Sequence, residues 1–354
     1  MTYEPMQPAC APGTVPSAGV WPSAEDGLAG WEQLQFTKKN KVLDLPRPQA
    51  PLFDTHAHLR SFWGEDKDPV AVLVRAYRAG VRGLVTLFDP VSDMCEETRD
   101  ATDFSAWLQD VASRAAQAGA PLPVRYLVGL HPYGTADYTD AVHAQVEAAL
   151  DDPWCAGVGE VGLDYHFDAD DDIEAAPHEL QMDVMARQGE LAVRRNVPVE
   201  LHLRNDTGDA ARQAHADAAR VLEQVGVPRA GCVLHCFGED RATMERFVDL
   251  GCHVAFGGAA TFRRNDEVRE AFAVCPLDRL LLETDCPYMA PEPIRGLECE
   301  PAMIAQTADT LVYDRCDRTG ELPSTIARAL WDNSVALFGK RRGSNMQHMR
   351  GMIR

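Results

Sequence analysis

The chain reads as an α/β protein, a single (β/α)8 TIM barrel with an N-terminal extension. Three observations predict it. From Pro51 onward, eight short apolar runs of strand character alternate with eight stretches at helical spacing. No block of consecutive hairpin signals interrupts the alternation. Polar, chemistry-bearing residues also recur at the last positions of the apolar runs, where barrels of this kind carry their sites. A count of eight favours a closed barrel over an open sheet. The 354 residues suit one such domain, since about 250 or more are common.

The elements follow in order. Residues 52–56 form the first strand; Asp68-Pro69 then supplies an N-cap and a proline at the first helical position, and Gly80 stops that helix. Residues 83–89 form the second strand, followed by a long helical stretch ending at Ala118-Gly119. Residues 124–130 and 156–160 form the third and fourth strands, with helices at 141–150 and 177–196. The fifth strand, 197–203, leads to a helix at 210–224. The sixth, 231–236, leads to one at 239–250 that Gly251 stops. The seventh, 253–256, precedes a helix at 265–274, and the eighth, 280–285, precedes helical segments to Phe338.

Three regions result: an extension over 1–50, the barrel over 51–339 and a basic tail over 340–354. Five prolines in the first 22 residues, with Ala, Gly and Ser between them, leave little to pack, so the extension is expected to be partly disordered. Trp21, Trp31 and Leu34 are its candidates for docking on the barrel.

Composition excludes several classes. No run of about 18 apolar residues exists to span a membrane, and no basic-then-apolar leader opens the chain. The ten cysteines lack zinc-ribbon spacing, and Cys232 and Cys236 flank an apolar strand as buried thiols would; a reducing, cytoplasmic location is the expectation. With 34 basic against 54 acidic residues, the net charge of −20 opposes non-specific binding to nucleic acid. A polyanionic substrate would need metal ions and a few placed arginines. No feature of the sequence sets an oligomeric state.

The strand ends carry the chemistry. Asp54, His56 and His58 alternate onto one face of the first strand, and two imidazoles converging from one strand make half a divalent-metal site. His131 ends strand three, Glu160 strand four, His202 and Arg204 strand five, His235 strand six, and Glu283-Thr284-Asp285 strand eight. Several histidines and carboxylates at equivalent places fit one or two divalent ions. A carboxylate at Glu160 can reach an ion with each oxygen, Asp285 can take a proton from water, and Arg204 can grip a phosphate through two N–H groups. One motif is a decoy. Residues 157–162 match G-x-G-x-x-G, but no helix opens there and Glu160 lies inside the loop, where a carboxylate would repel phosphates; no nucleotide cofactor is expected.

The motifs together resemble the TatD family of metal-dependent deoxyribonucleases. They are Asp54-Thr55-His56-Ala57-His58, Gly129-Leu130-His131-Pro132, Gly159-Glu160-Val161-Gly162-Leu163-Asp164-Tyr165, Pro198-Val199-Glu200-Leu201-His202-Leu203-Arg204, Leu234-His235-Cys236-Phe237 and Leu282-Glu283-Thr284-Asp285-Cys286-Pro287-Tyr288, with Arg295-Gly296, Glu300-Pro301 and Asn333 also fitting. The resemblance implies two divalent ions (Mg²⁺, Mn²⁺ or Zn²⁺). His56, His58, Glu160 and Asp285 would hold one, Glu160, His202 and His235 the other, while His131 and Arg204 would face the scissile phosphate. It further implies a hydrolase of DNA phosphodiesters that trims single-stranded DNA from 3′ ends.

Departures from the family bear on substrate. Gly238-Glu239 adds a charge after the sixth strand, Cys299 precedes Glu300-Pro301, and an acidic insertion spans residues 168–174 on the expected active face. Arg263 and Arg264 could supply a small basic platform there. The alternative reading is a metallohydrolase of the amidohydrolase group acting on a small ester, lactone or amide.

Overall fold

The computed structural model describes residues 27–63, 67–166 and 176–339. Ten strands and nine α-helices are assigned among them. Two strands, β1 (Gln35–Lys38) and β2 (Lys41–Asp44), pair antiparallel as a hairpin ahead of the barrel. The other eight are β3 (Leu52–Ala57), β4 (Val81–Phe88), β5 (Val124–Val128), β6 (Cys155–Asp164), β7 (Val199–Arg204), β8 (Cys232–Leu234), β9 (His253–Phe256) and β10 (Leu280–Leu282). They lie side by side in sequence order, each parallel to the next. The expected (β/α)8 architecture is the observed one.

The helices alternate as predicted: α1 (Pro69–Arg78), α2 (Ala101–Gln117), α3 (Asp140–Ala149), α4 (His178–Arg195), α5 (Gln213–Val225), α6 (Arg241–Asp249) and α7 (Asp266–Val274), then α8 (Ile304–Thr319) and α9 (Pro323–Phe338) after the last strand. Side-chain caps set several starts. Asp68 accepts from Val70 N ahead of Pro69, Asp100 from Thr102 and Asp103, Thr139 from Val142, and Asp240 from Thr243. One start is later than predicted. Asp209 accepts the backbone N–H of Ala211 and Gln213, and Asn205 that of Ala214, so α5 begins at Gln213 rather than 210.

Among the described residues no regular ladder joins β10 to β3; an isolated bridge between Ala57 and Cys286, two backbone bonds and side chains close that seam. Thr55 Oγ1 donates to Leu282 O at 3.0 Å, and Asp285 N to His56 O at 3.0 Å. The buried Asp54 carboxylate accepts from both the backbone N–H and the hydroxyl of Thr284, at 2.9 and 2.6 Å. Asp54 shares a strand with the paired histidines, but its contacts are with the seam rather than with their cluster.

The barrel interior is a packed core. Phe53, Val85, Leu87, Leu127, Ala156, Val233, Ala255 and Leu281 fill it, and Trp331 and Phe338 of α9 stop its lower end. Their rings lie 6.1 and 6.3 Å from that of Phe53. A second, larger apolar layer lies between strands and helices. The polar carboxyl ends of the strands lie at the opposite end of the barrel.

The glycines of the decoy motif have a packing role. A Cβ on Gly157 would lie 2.3 Å from Pro198 O, and one on Gly162, at φ +152°, 2.0 Å from His202 O. They let β6 press against β7. Pairing then continues past Glu160 to Asp164, opposite Arg204, so β6 outruns the predicted strand.

The later part of the extension does dock. Leu45 is buried, Leu34, Phe36 and Leu43 pack on the core, Glu32 N donates to Arg78 O, and Arg82 Nη2 donates to Ala29 O at 2.6 Å. Arg47 covers the Trp31 ring at 5.3 Å. Trp21, the acidic insertion and the basic tail lie outside the described residues.

Candidate active site

The predicted ligands converge at the carboxyl ends of the strands. His56 comes from β3, with His58 just beyond it, and Glu160 from the middle of β6. His202 is on β7, His235 follows β8, and Asp285 follows β10. Asp285 sits at φ +55°, a left-handed conformation that a non-glycine residue adopts only where surrounding contacts hold it. The backbone bond to His56 across the seam supplies one such contact.

Glu160 is central. Its Oε2 lies 3.7 Å from His56 Nε2 and 3.9 Å from His58 Nε2. Its Oε1 lies 2.6 Å from His202 Nδ1, 2.8 Å from His235 Nε2 and 3.9 Å from His131 Nε2. Asp285 Oδ1 is 3.7 Å from His56 Nε2 and 3.5 Å from His58 Nε2. The His56 and His58 Nε2 atoms face each other at 3.2 Å, and the His56 and His235 rings stack at 3.9 Å. Three overlapping groups have all their ligand atoms within 4.8 Å of one another: His56, His58 and Glu160; His56, His235 and Asp285; His131, Glu160 and His202.

These donors fit divalent cations. They are imidazole nitrogens and carboxylate oxygens only, with His56, Glu160, His235 and Asp285 buried and His58, His131 and His202 half-buried, and among the described residues no Lys or Arg pairs with Glu160 or Asp285. Protonation follows the crowding. Burial pushes His56 down to about 3, and burial with the neighbouring His202 does the same to His131. Burial opposes charge on Glu160, yet the His235, His131 and His202 imidazoles hold its carboxyl well below the usual range. Burial also opposes charge on His202, but Asp164 and Glu160 outweigh it and raise the ring to about 9.

Each of three imidazoles has a buried carboxylate on its other nitrogen. Glu200 Oε1 is 2.7 Å from His56 Nδ1, Asp164 Oδ2 is 2.9 Å from His202 Nε2, and Glu283 Oε1 is 3.5 Å from His235 Nδ1. Such partners orient metal-binding histidines. Sequence reasoning assigned none of these roles, although a signal existed: Glu200 is two residues before His202 and Glu283 two before Asp285, acids inside otherwise apolar strands. Burial pushes Glu200 up to about 8, and among the described residues its Oε2 and that of Glu283 have no hydrogen-bond partner.

The two predicted phosphate-facing residues lie together on one side. His131 is on the loop after β5, its ring 4.4 Å from that of His202, and its Nδ1 accepts from Tyr133 N at 3.2 Å. Arg204 is exposed, with Nη1 3.5 Å from the Tyr133 hydroxyl. Across the cluster, Tyr288 stands edge-on to His58 at 5.8 Å.

The departures resolve locally. Glu239 accepts from Asn205 and from Arg212 Nε at 2.6 Å, which balances its charge. Glu300 takes both of its oxygens to Arg75 Nε, at 3.0 and 2.8 Å. Of the two thiols expected to be buried, Cys232 is buried but Cys236, just beyond the strand end, is only half-buried. Among the described residues, no helix is long and apolar enough to cross a membrane.

Comparison with known proteins agrees with this geometry. The model of the TatD related DNase family matches residues 53–339. The chain is 32% identical over 289 residues to an uncharacterized metal-dependent hydrolase, TatD, of Mycobacterium tuberculosis, covering 81% of this chain and 98% of that one. It is 34% identical over 215 residues to the 3′-5′ ssDNA/RNA exonuclease TatD of Pantoea vagans, covering 59% of this chain and 76% of that one. The crystal structure of the TatD homolog YjjV from Escherichia coli shares 30% identity at a TM-score of 0.63, covering 82% of this chain and 98% of that one. A matched family model, a relative aligned over nearly its whole length and a shared barrel lead to one conclusion: the chain belongs to the TatD-related DNase family of metal-dependent hydrolases.

Proposed function

We propose that the protein is a divalent-metal-dependent phosphodiesterase that trims single-stranded DNA from its 3′ end. The observation that carries the reading is the disposition of Glu160, whose two oxygens face two different sets of imidazoles, as a carboxylate shared by two cations would. His56, His58, Glu160 and Asp285 would hold one ion, and Glu160, His202 and His235 the other, with Mg²⁺, Mn²⁺ or Zn²⁺ as occupants. The exonuclease name of the Pantoea vagans relative supports the DNA end as substrate.

When bound, paired divalent ions polarise a phosphoryl oxygen and make water acidic enough to attack at neutral pH. The chain supplies the rest. Asp285, which the His58, His235 and His56 imidazoles hold ionised against the cost of burial, accepts the proton of the attacking water. Arg204 offers two N–H groups to the non-bridging phosphate oxygens, and His131, kept neutral by burial, orients the phosphate from beside it. Glu200 and Asp164 fix the His56 and His202 orientations, and Glu283 lies beside the His235 Nδ1 atom, so little reorganisation is needed when substrate arrives.

The test incubates metal-stripped protein with end-labelled single-stranded DNA and adds back Mg²⁺, Mn²⁺ or Zn²⁺, with Glu160→Ala in parallel. The expected result is metal-dependent shortening from the 3′ end by the wild type alone. No shortening with metal bound would overturn the reading and move the assignment to a small ester, lactone or amide. Full activity in Glu160→Ala would overturn the shared-carboxylate arrangement.

A further inference from the structure

The chain is strongly acidic, yet one sector of its catalytic rim is basic. The turn of the β1–β2 hairpin carries Lys38, Lys39 and Lys41, and the loop after β9 carries the exposed Arg263 and Arg264. Arg295, also exposed, is on the loop after β10. Contacts make these three segments one surface. Lys38 Nζ donates to Pro293 O at 2.9 Å, Glu292 N donates to Thr261 Oγ1 at 2.8 Å, and the Arg295 guanidinium lies 4.1 Å over the Phe262 ring. The same loop after β10 carries Tyr288, a residue 57% exposed whose ring stands against His58. The surface therefore runs from the hairpin tip to the edge of the ligand cluster.

Most of the cations on it have no carboxylate partner. Many other arginines are paired with carboxylates, among them Arg75, Arg187, Arg212 and Arg318. Among the described residues, Lys39, Lys41, Arg263, Arg264 and Arg295 make no ion pair, although Glu292 and Glu267 lie nearby in sequence. In a chain of net charge −20, unpaired cations gathered on one rim create a local field opposite to that of the whole. The hairpin also precedes the residues matched by the family model, which begin at 53, so its lysines lie outside the matched segment.

We propose that the hairpin and the loops after β9 and β10 form a track for the phosphate backbone of a single-stranded nucleic acid whose end occupies the active site. The inference rests on the phosphodiesterase reading but concerns binding rather than cleavage. Exposed lysines and arginines suit a backbone of repeated single charges. The exposed Tyr288 ring offers a face on which a base near the reacting end can stack, the combination of charge and aromatic surface that single strands use.

The test measures fluorescence anisotropy of a labelled single-stranded oligodeoxynucleotide with metal-stripped protein over a salt series. Wild type is compared with the quadruple variant Lys39→Ala, Lys41→Ala, Arg263→Ala and Arg264→Ala, which spares Lys38 and its structural bond. A control, Arg229→Ala with Arg328→Ala, removes exposed cations from other parts of the surface. The quadruple variant is expected to raise Kd at least about tenfold and to reduce the slope of log Kd against log salt by roughly 2–3, with the control near wild type. Turnover of bis(p-nitrophenyl) phosphate by the metal-loaded quadruple variant should match wild type.

Unchanged DNA binding in the quadruple variant, an equal loss in the control, equal affinity for polyglutamate, or no DNA binding by wild type would each overturn the track. Track-dependent binding without cleavage of any phosphodiester would support the track and overturn the catalytic reading instead.

Discussion

Glu200→Ala isolates the contribution of an orienting carboxylate. The Glu200 and His56 side chains are both fully buried, and their 2.7 Å contact is the hydrogen bond of His56 Nδ1. For His56 Nε2 to present a lone pair to a cation, Nδ1 must carry the proton and donate it. Removing the acceptor leaves a buried N–H unsatisfied, which costs about 1–3 kcal/mol in the binding-competent tautomer. That equals a loss of roughly 5- to 150-fold in cation affinity, bracketing the 10- to 100-fold expected on removing such a partner. Glu200→Gln keeps an acceptor oxygen, so its loss should be below about tenfold. The assay is isothermal titration of metal-stripped protein with Zn²⁺ or Mn²⁺ against a competing chelator, with thermal melting of each variant to register folding. Wild-type affinity in the alanine variant, or a glutamine variant weaker than the alanine one, would refute the reasoning.

Arg204→Ala should lower kcat/KM on DNA by roughly 10- to 100-fold while metal content is retained, because the exposed guanidinium touches Tyr133 rather than the cluster; elemental analysis showing lost metal would place it in a structural role. Phe338→Ala should cost about 3–5 kcal/mol in urea unfolding, since it opens the plug beneath Phe53. His215 gives a pH dependence. Burial pushes its imidazole down to about 4, so the folded form stays neutral while an unfolded histidine gains a proton below its ordinary value of 6.5. Stability is complete above that value and falls as pH drops toward 4; by about pH 5 this one group accounts for about 2 kcal/mol. His215→Gln should flatten the fall by that amount, and an unchanged profile would show that the ring is already charged in the fold.

Strands buried on both faces made the barrel legible, because near-continuous apolar runs ending in His, Glu or Asp have few other interpretations. The convergence of the six candidate ligands was legible for the same reason, each standing as a polar interruption of an apolar run, although Glu160 lies in the middle of β6 rather than at the strand end expected for it. Asp164, Glu200 and Glu283 were not assigned their roles. Pairing an acid with the far nitrogen of a particular imidazole depends on how the strands are staggered, and that is set by contacts such as Gly162 against His202 O. The hairpin was missed for a different reason. Its four-residue strands, Gln-Phe-Thr-Lys and Lys-Val-Leu-Asp, carry too little alternation to stand out from a proline-rich lead-in, and they are stabilised by packing on the barrel.

The seam between β3 and β10 has a consequence for when the protein becomes competent. Asp54 and Thr284, which close it, are 230 positions apart, and the cluster straddles the same joint, with His56 and His58 on one bank and Asp285 on the other. Contacts so distant along the chain are among the slowest to form. A growing chain lacks the Asp285 bank until nearly all of the barrel has been made, and a fragment ending earlier keeps only an incomplete ligand set. If these residues hold the cations as proposed, the complete set comes together only with ring closure.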